Sequence, residues 1–315
     1  MRRSSHVQAS DSQWYCQTWH HRARTEKVES LNHSMGSDDK PFLYMGQSEE
    51  DIPRNVMHIK VVDPAVKKIG DYAFYECEQL VNVDLCEGLE RINCGAFRGC
   101  TLLRNIIIPP TVKEIEWQAF KGCSLLRNVE LNEGLERIDN WAFCGCRSPT
   151  SITITSTIRD IGWGAFKGCC QLESVELHEG LKWRRIGQDA FEDCTSLVSI
   201  RIPSNVGIIF TNTFKKCTQL VTVELCKGLL ESIEGCAFES CTSLKQIIIP
   251  STVKKIGRDA FKDCDRLESI RFCDEIEQFV NEASLPWWNC GVSEVSLLVY
   301  SSLAHRKIPA CFGAI

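Results

Sequence analysis

The sequence lacks any continuous run of about 18 apolar residues, so no segment is predicted to span a membrane. It also lacks an excess of positive charge. Its 36 lysines and arginines stand against 41 aspartates and glutamates, a net charge of −5, which excludes a broadly basic nucleic-acid surface. The first residues lead into polar sequence without an apolar stretch, so no secretory signal is expected.

Catalytic and metal-binding motifs are missing as well. The sequence contains no His-Glu-x-x-His, no Gly-x-Ser-x-Gly and no phosphate-binding loop, so no catalytic residue, no cofactor and no enzymatic activity are predicted. It has 19 cysteines but no Cys-x-x-Cys pair, the usual spacing of a zinc site. No metal site is therefore predicted.

The chain instead contains a repeat of 23 to 25 residues that runs through most of its length. Phenylalanine marks each unit, at Phe74, Phe97, Phe120, Phe143, Phe166, Phe191, Phe214, Phe238 and Phe261. A cysteine follows each one by three residues, at Cys77, Cys100, Cys123, Cys146, Cys169, Cys194, Cys217, Cys241 and Cys264. Self-similarity at this period is the mark of a solenoid.

Each unit predicts one rung of a coil. Alternating apolar residues such as Val83 and Leu85 indicate a short strand, and glycine or proline then marks a turn. A second brief extended piece ends on an isoleucine, and Ala-Phe-x-x-Cys is predicted to form one tight helical or 3₁₀ turn. Because 23 residues cannot bury both apolar edges alone, the rungs are expected to stack into parallel sheets around a shared core.

The residues from Ile186 read Ile-Gly-x-x-Ala-Phe-x-x-Cys-x-x-Leu-x-x-Ile-x-Ile-Pro, and this motif resembles the BspA-type leucine-rich repeat family. The resemblance covers about residues 52–290. It implies a curved right-handed solenoid of short parallel strands that binds other macromolecules and carries no catalytic residues. Members on microbial surfaces act in adhesion.

Three regions are predicted. Residues 1–50 are polar and aperiodic, which favours a disordered tail, and residues 51–291 form the solenoid with an N-terminal half-repeat as a cap and about nine full repeats. Phe279, Leu285, Trp287 and Trp288 are expected to close the last rung. Residues 292–315 have helical apolar spacing and form a C-terminal cap that is incomplete in this prediction.

The repeated cysteines are interpreted as reduced thiols that pack in the core as small apolar groups. Stacked thiols would recur about every 5 Å, close enough for cross-linking in an oxidising compartment. The interpretation therefore favours an intracellular protein, cytoplasmic or nuclear. A surface or secreted protein with an upstream signal remains the alternative.

The outward positions of the first strand are the predicted partner-binding surface. One column holds uncharged polar residues from Asn82 to Ser269, and the next carries charges at Asp84, Glu130, Glu176, Arg201, Glu224 and Arg271. Acids on alternate rungs lie about 10 Å apart. This spacing either avoids repulsion or presents an acidic pattern to a basic or extended partner.

Two irregularities add candidates. The 25-residue unit contains Lys182, Trp183, Arg184 and Arg185 and is two residues longer than the usual unit, and insertions in repeat arrays often lie on a binding face. Trp117, Trp141 and Trp163 fall on successive rungs and form either an outer aromatic patch or a cover over the phenylalanines. The sequence thus predicts a non-catalytic protein-interaction scaffold, monomeric, with a surface adhesin as the alternative.

Overall fold

The fold is described from a computed structural model. It describes residues 40–179 and 185–272 in full, and the backbone of two further strands at 296–301 and 304–308. These residues form a coil with two short strands per turn, each on a different side.

Strands are numbered in chain order. The first side contains β1 (Phe42–Tyr44), β2 (His58–Val61), β4 (Asn82–Asp84), β6 (Asn105–Ile107), β8 (Asn128–Glu130), β10 (Ser151–Ile154), β12 (Ser174–Leu177), β14 (Ser199–Ile202), β16 (Thr222–Leu225), β18 (Gln246–Ile249), β20 (Ser269–Phe272), β21 (Ser296–Ser301) and β22 (Ala304–Ile308). The second side contains β3 (Lys68–Ile69), β5 (Arg91–Ile92), β7 (Glu114–Ile115), β9 (Arg137–Ile138), β11 (Asp160–Ile161), β13 (Arg185–Ile186), β15 (Ile208–Ile209), β17 (Ser232–Ile233) and β19 (Lys255–Ile256).

Equivalent strands of successive rungs pair in parallel and in register. The second side is one nine-stranded sheet from β3 to β19, in which the closing isoleucines face one another, as Ile69 and Ile92 do. The first side is a row of three-, two- and eight-stranded sheets. Only β22 runs antiparallel, as a hairpin with β21. The predicted parallel solenoid is confirmed.

The third side of the coil is a turn rather than a helix. Its amides alternate: Tyr75 N–H bonds back to Tyr72 C=O in its own rung, whereas Phe74 N–H bonds to Ala96 C=O in the next. Tyr72 and Glu76 have positive φ angles of 53°, and glycine takes the latter position in four later rungs, as at Gly99. The expected helical or 3₁₀ turn therefore becomes a series of single turns, because every second amide is used to join rungs.

The core is a stack of phenylalanine rings along the coil axis. All nine rings are at most 2% exposed. Successive centroids lie 5.2 to 5.6 Å apart with interplanar angles of at most 12°, so the rings are nearly parallel and stack with an offset, which is a favourable arrangement. Nine rungs at strand spacing give a spine on the order of 40 Å long. The predicted phenylalanine ladder is confirmed.

The cysteine ladder is buried beside the rings, and each thiol has a polar role. Cys100 Sγ donates to Phe74 C=O of the preceding rung at 3.0 Å, and the same contact recurs in each later rung up to Cys264, which bonds Phe238 C=O at 3.1 Å. Phe74 C=O also accepts a hydrogen bond from Cys77 N–H, so the Cys100 thiol donates to the second lone pair of this carbonyl oxygen. Cysteine at this position thus supplies a small apolar body and a weak donor.

Both ends differ from the predicted boundaries. Residues 42–44 belong to the array rather than to a tail ending at residue 50, since β1 pairs with β2 and the Tyr44 ring lies 5.2 Å from Phe74. This ring covers the first face of the phenylalanine stack. A 3₁₀ turn, Glu49–Asp51, follows.

The C-terminal segment that the sequence predicts to be helical contains strands β21 and β22. An open sheet edge leaves a row of N–H and C=O groups unpaired, and β21 satisfies that edge by pairing in parallel with β20. Its Leu-Leu-Val-Tyr sequence also favours a strand. The expected plug of Phe279, Leu285, Trp287 and Trp288 lies outside the described residues.

Candidate functional site

The outward side chains of the first side form a largely exposed surface, although Ser269 at its end is buried, and we call this surface the acidic face. It consists of the polar column from Asn82 to Ser269 and the neighbouring column from Asp84 to Arg271. Strand pairing sets these columns in register, as with Thr153 opposite Glu176 and Arg201 opposite Glu224. The inward residues of the same strands, such as Val175, are buried.

The polar column is laced by hydrogen bonds between rungs in its first half. Asn128 Nδ2 donates to Asn105 Oδ1 at 2.7 Å, and Asn82 lies 3.0 Å from His58 Nδ1. Such contacts satisfy the side chains without a partner molecule. The column therefore behaves as a solubilising ladder.

The charged column is only partly self-neutralised. Arg201 contacts Glu224 at 3.2 Å and Glu179 at 3.6 Å. Glu176 is 67% exposed, and within the described ranges its polar contacts are to His178, at 3.4 Å, and to the Thr153 hydroxyl. Glu130 is exposed and has no ion pair within the fully described ranges.

Apolar side chains interrupt the same column near its two ends. Ile107 is 63% exposed and stands opposite Glu130, and Ile248 is 44% exposed and stands opposite Arg271. Asp84 is exposed opposite Lys60, whereas Arg271 is half-buried. The acidic face thus alternates acidic, apolar and polar groups from rung to rung.

The predicted bulge does not join this face in the part of the chain that is described. Arg185 is the first residue of β13 on the second side, where its Nε lies 3.8 Å from Asp160. Lys182, Trp183 and Arg184 lie outside the described residues. A binding role for the bulge remains a prediction.

The three tryptophans lie at the start of the third-side turns. Trp163 is 50% exposed, and Trp117 and Trp141 are half-buried. Trp141 donates its backbone N–H to Trp163 C=O at 2.7 Å, so the two belong to adjacent rungs of one outer surface. The phenylalanine rings are enclosed by their own rungs, and an outer patch is the reading that this exposure favours.

The outward charges of the second side pair with one another across the rungs. Lys67 and Glu90 lie 3.6 Å apart, Arg159 and Glu136 lie 3.1 Å apart, and Lys254 and Glu231 lie 3.0 Å apart. Opposite charges in neighbouring strands stabilise a sheet modestly. This side of the coil therefore satisfies its own charges.

Burial controls the chemistry of the thiols. It raises the pKa of Cys100, Cys123 and Cys217 well above the usual value, and the pKa of Cys264 to about 12. A thiol must ionise before it acts as a nucleophile or oxidises readily. These four thiols are thus protonated and unreactive while the rungs remain stacked.

One half-buried thiol lies among carboxylates. Burial, and then the Glu116 carboxylate that accepts its hydrogen bond, raise the pKa of Cys94 to about 11. Donor atoms of Asp71, Cys94 and Glu116 all lie within 4.8 Å of one another. The members of this cluster are spaced by about one repeat, 23 and 22 residues apart, but no metal-ligand motif marks them in the sequence, and only the stacking of three rungs brings them together.

The fold and its exposed face define a repeat protein of the parallel β-solenoid class. The sequence profile of the BspA type leucine rich repeat region matches residues 67–183 and 170–290, with six copies. The chain belongs to this family. No curated protein sequence matches the chain significantly.

Solved structures similar to the chain are leucine-rich repeat proteins of bacteria. The Treponema protein, T. pallidum TpLRR, shares 28% identity over 60% of this chain and 77% of its own, with a TM-score of 0.43. A leucine rich cell surface protein from Faecalibacterium prausnitzii shares 25% identity over 71% of this chain and 74% of its own, with a TM-score of 0.43. The pneumococcal vaccine antigen PcpA shares 20% identity over 75% of this chain and 66% of its own, with a TM-score of 0.48.

None of the helices among the described residues has the length and apolar character needed to cross a membrane.

Proposed function

We propose that this protein is a non-catalytic, monomeric scaffold that binds a protein partner through the acidic face. The observation that carries the proposal is the exposed charged column, in which neither Glu130 nor Glu176 forms an ion pair with a lysine or arginine of residues 40–179 and 185–272. An evenly spaced set of acids on a rigid support is a suitable surface for a basic, extended protein segment.

The spacing and the apolar members of the face support this partner chemistry. Glu130, Glu176 and Glu224 recur on alternate rungs, about 10 Å apart, which is close to the length of three residues of extended chain. Ile107 and Ile248 are exposed beyond the two ends of this acidic series and provide apolar contacts. The charges would give the complex its orientation and fast association, and the apolar side chains would add buried area.

The test is charge reversal with a matched control on the other side of the coil. The triple variant Glu130→Lys, Glu176→Lys, Glu224→Lys is compared with Glu90→Lys, Glu136→Lys, Glu231→Lys, which changes net charge by the same amount. Each protein is used as bait in native extract, and partners bound by the wild type are quantified. We expect the first triple to lose capture by about tenfold or more, and the second to retain it.

Equal loss in both triples would mean that capture depends on net charge alone. Unchanged capture in the first triple would remove the acidic face as the binding surface. Thermal unfolding of each variant is measured in parallel, so that loss of fold is not mistaken for loss of binding.

We also propose an intracellular, reducing location. All fifteen cysteines in the described ranges are free, and each ladder thiol from Cys100 onward acts as a hydrogen-bond donor, which requires it to be reduced. Titration of thiols in denatured protein from its native source should find nearly all 19 cysteines free. A low count would favour the second candidate, a surface adhesin of the kind that the family resemblance implies.

A further inference from the structure

Three side chains from consecutive rungs meet where the second side passes into the third-side turn. Cys94 Sγ lies 3.3 Å from Glu116 Oε2, and Cys94 N–H donates to Asp71 Oδ1 at 3.2 Å. All three candidate ligand atoms lie within 4.8 Å of one another. We call this group the rung cluster.

The rung cluster is negatively charged and is not neutralised by its neighbours. Neither Asp71 nor Glu116 forms an ion pair with a residue in the fully described ranges. The nearby Glu114, by contrast, meets Arg91 at 3.4 Å. Two carboxylates held around a half-buried thiol repel one another unless a cation lies between them.

A buried oxygen without a hydrogen-bond partner lies in the same part of the rung. Asn93 is 7% exposed, and its Oδ1 has no hydrogen-bond partner among the residues that the structure describes. Asn93 and Glu116 hold the same position in neighbouring rungs, since they follow the paired residues Ile92 and Ile115. A buried amide oxygen in this state costs free energy that a cation or a donor would recover.

The equivalent residues of other rungs indicate the direction of the Cα–Cβ bond at the rung position of Asn93. Glu116 reaches back to Cys94 of the preceding rung, as the 3.3 Å contact shows. A Cβ built on Gly70 would likewise point back, to 3.4 Å from Tyr44 Oη. A Cβ built on Gly162 at the same rung position also points to the preceding rung, so the Cβ of Asn93 is directed towards the rung of Asp71.

We propose that the rung cluster is a Zn²⁺ site in which Cys94 Sγ and the carboxylates of Asp71 and Glu116 are ligands and Asn93 Oδ1 lies beside them. Zinc accepts one thiolate with oxygen ligands in a tetrahedral arrangement. The ligand atoms of such a site lie closer together than these candidate ligand atoms, which lie within 4.8 Å of one another. Small side-chain rotations would bring them to bonding distance.

Binding exchanges one cation for one proton. The Cys94 S–H bond breaks, the sulfur electron pair forms the bond to Zn²⁺, and the proton leaves to solvent. Asp71 is exposed, so the ion has a path of entry. The bound ion would join three successive rungs through their side chains and would neutralise the two carboxylates.

The test uses the untagged full chain, freed of metal by a chelator. Co²⁺ is titrated first, because its thiolate complex gives a charge-transfer absorption in the near ultraviolet, and Zn²⁺ then competes. We expect one equivalent of Co²⁺ to produce the band and one equivalent of Zn²⁺ to remove it. Cys94→Ser should abolish the band, and Glu116→Gln or Asn93→Ala should weaken Zn²⁺ affinity about 10- to 100-fold.

Cys86→Ser is the matched control, since Cys86 is also half-buried and lies in the preceding part of the same rung. It should leave the band and the affinity unchanged. The proposal is overturned if the wild type gives no band, or if the band persists in Cys94→Ser, which would mean binding by other groups only. Urea unfolding of the metal-free variants verifies that each is folded, and Glu116→Gln keeps the test decisive should Cys94→Ser unfold.

Discussion

The two strand-bearing sides of the coil have the same support but different outer surfaces. On the second side, charges of opposite sign stand on adjacent rungs and form ion pairs, such as Lys67 with Glu90 and Arg159 with Glu136. On the first side, Glu130 and Glu176 are exposed, have no lysine or arginine partner in the described part of the chain, and alternate with polar and apolar residues. One side neutralises itself, and the other leaves charge available.

This difference shows how a repeat separates stability from recognition. Inward residues are nearly identical from rung to rung because each must fit the ring above and below it. Outward residues have no such constraint, so one side uses them for cross-rung pairing and the other keeps them exposed. The proposed binding surface is therefore the side on which the outward charges do not pair with one another.

The largest effect on stability is expected in the phenylalanine stack, which is the core that both sides share. Phe166→Ala should lower the free energy of unfolding by about 3 to 5 kcal/mol, because it leaves a cavity between the rings of Phe143 and Phe191. The centroids of these two rings lie 5.3 and 5.4 Å from that of Phe166. Urea unfolding followed by circular dichroism measures the loss.

Thr153→Ala, an exposed position on the same rung array, is the control and should change stability by at most about 0.5 kcal/mol. Hydrogen exchange should show β10 to β14 and β9 to β13 losing protection together in Phe166→Ala. Loss confined to one side would contradict the idea of a shared spine.

Much of this architecture was predictable from the sequence because each buried position recurs at a fixed interval. Phe and Cys of every unit, with Leu in all units but one, mark one layer of the core, and only parallel stacking buries all of them. The turn geometry was less predictable. Tyr72, Trp141 and Lys216 adopt positive φ although their side chains do not favour it, because bonding between rungs outweighs local preference.

The ends and the contacts between rungs could not be predicted in this way. Tyr44 lies outside the repeat, and its place on Phe74 depends on shape at the end of the stack. Ser296–Ser301 reads as helical by spacing, but the free edge of β20 makes it a strand. The rung cluster joins Asp71, Cys94 and Glu116 through stacking alone.

A smaller effect should distinguish the two sides in stability. The triple variant Glu90→Lys, Glu136→Lys, Glu231→Lys replaces three cross-rung attractions by repulsions and should lower the free energy of unfolding by about 1 to 3 kcal/mol in low salt. The triple at Glu130, Glu176 and Glu224 should lose less, since only Glu224 has an arginine partner.

Raising the salt concentration should reduce the difference between the two triples, because exposed charges are screened. Thermal unfolding at low and high ionic strength measures both quantities. If the first-side triple proves the more destabilised, its acids contribute to the fold, and the contrast between the two sides is wrong.

The smallest effect concerns a single ion pair and its dependence on pH. On the second side, Lys255 Nζ lies 2.8 Å from Glu234 Oε2, and the Ser232 hydroxyl also donates to this carboxylate. Burial alone would raise the pKa of Glu234, but the hydrogen bonds from Lys255 and Ser232 outweigh it and hold the pKa below its usual value.

A lowered carboxyl pKa in the folded state stabilises the protein above the pKa of the unfolded chain, near 4.3. That contribution is lost as the pH falls through the lower, folded value. Lys255→Met should therefore reduce stability by about 0.2 to 1 kcal/mol at pH 7, with the deficit shrinking as the solution becomes more acidic than about pH 4. The first-side counterpart is Arg201→Met, which removes the ion pair with Glu224. Both members of that pair are 61% exposed, whereas Glu234 is 25% exposed, so the deficit of Arg201→Met should be smaller and more sensitive to salt.

Urea unfolding of both variants across this pH range measures the two deficits, and a deficit for Lys255→Met that grows on acidification would contradict the assigned role of Glu234.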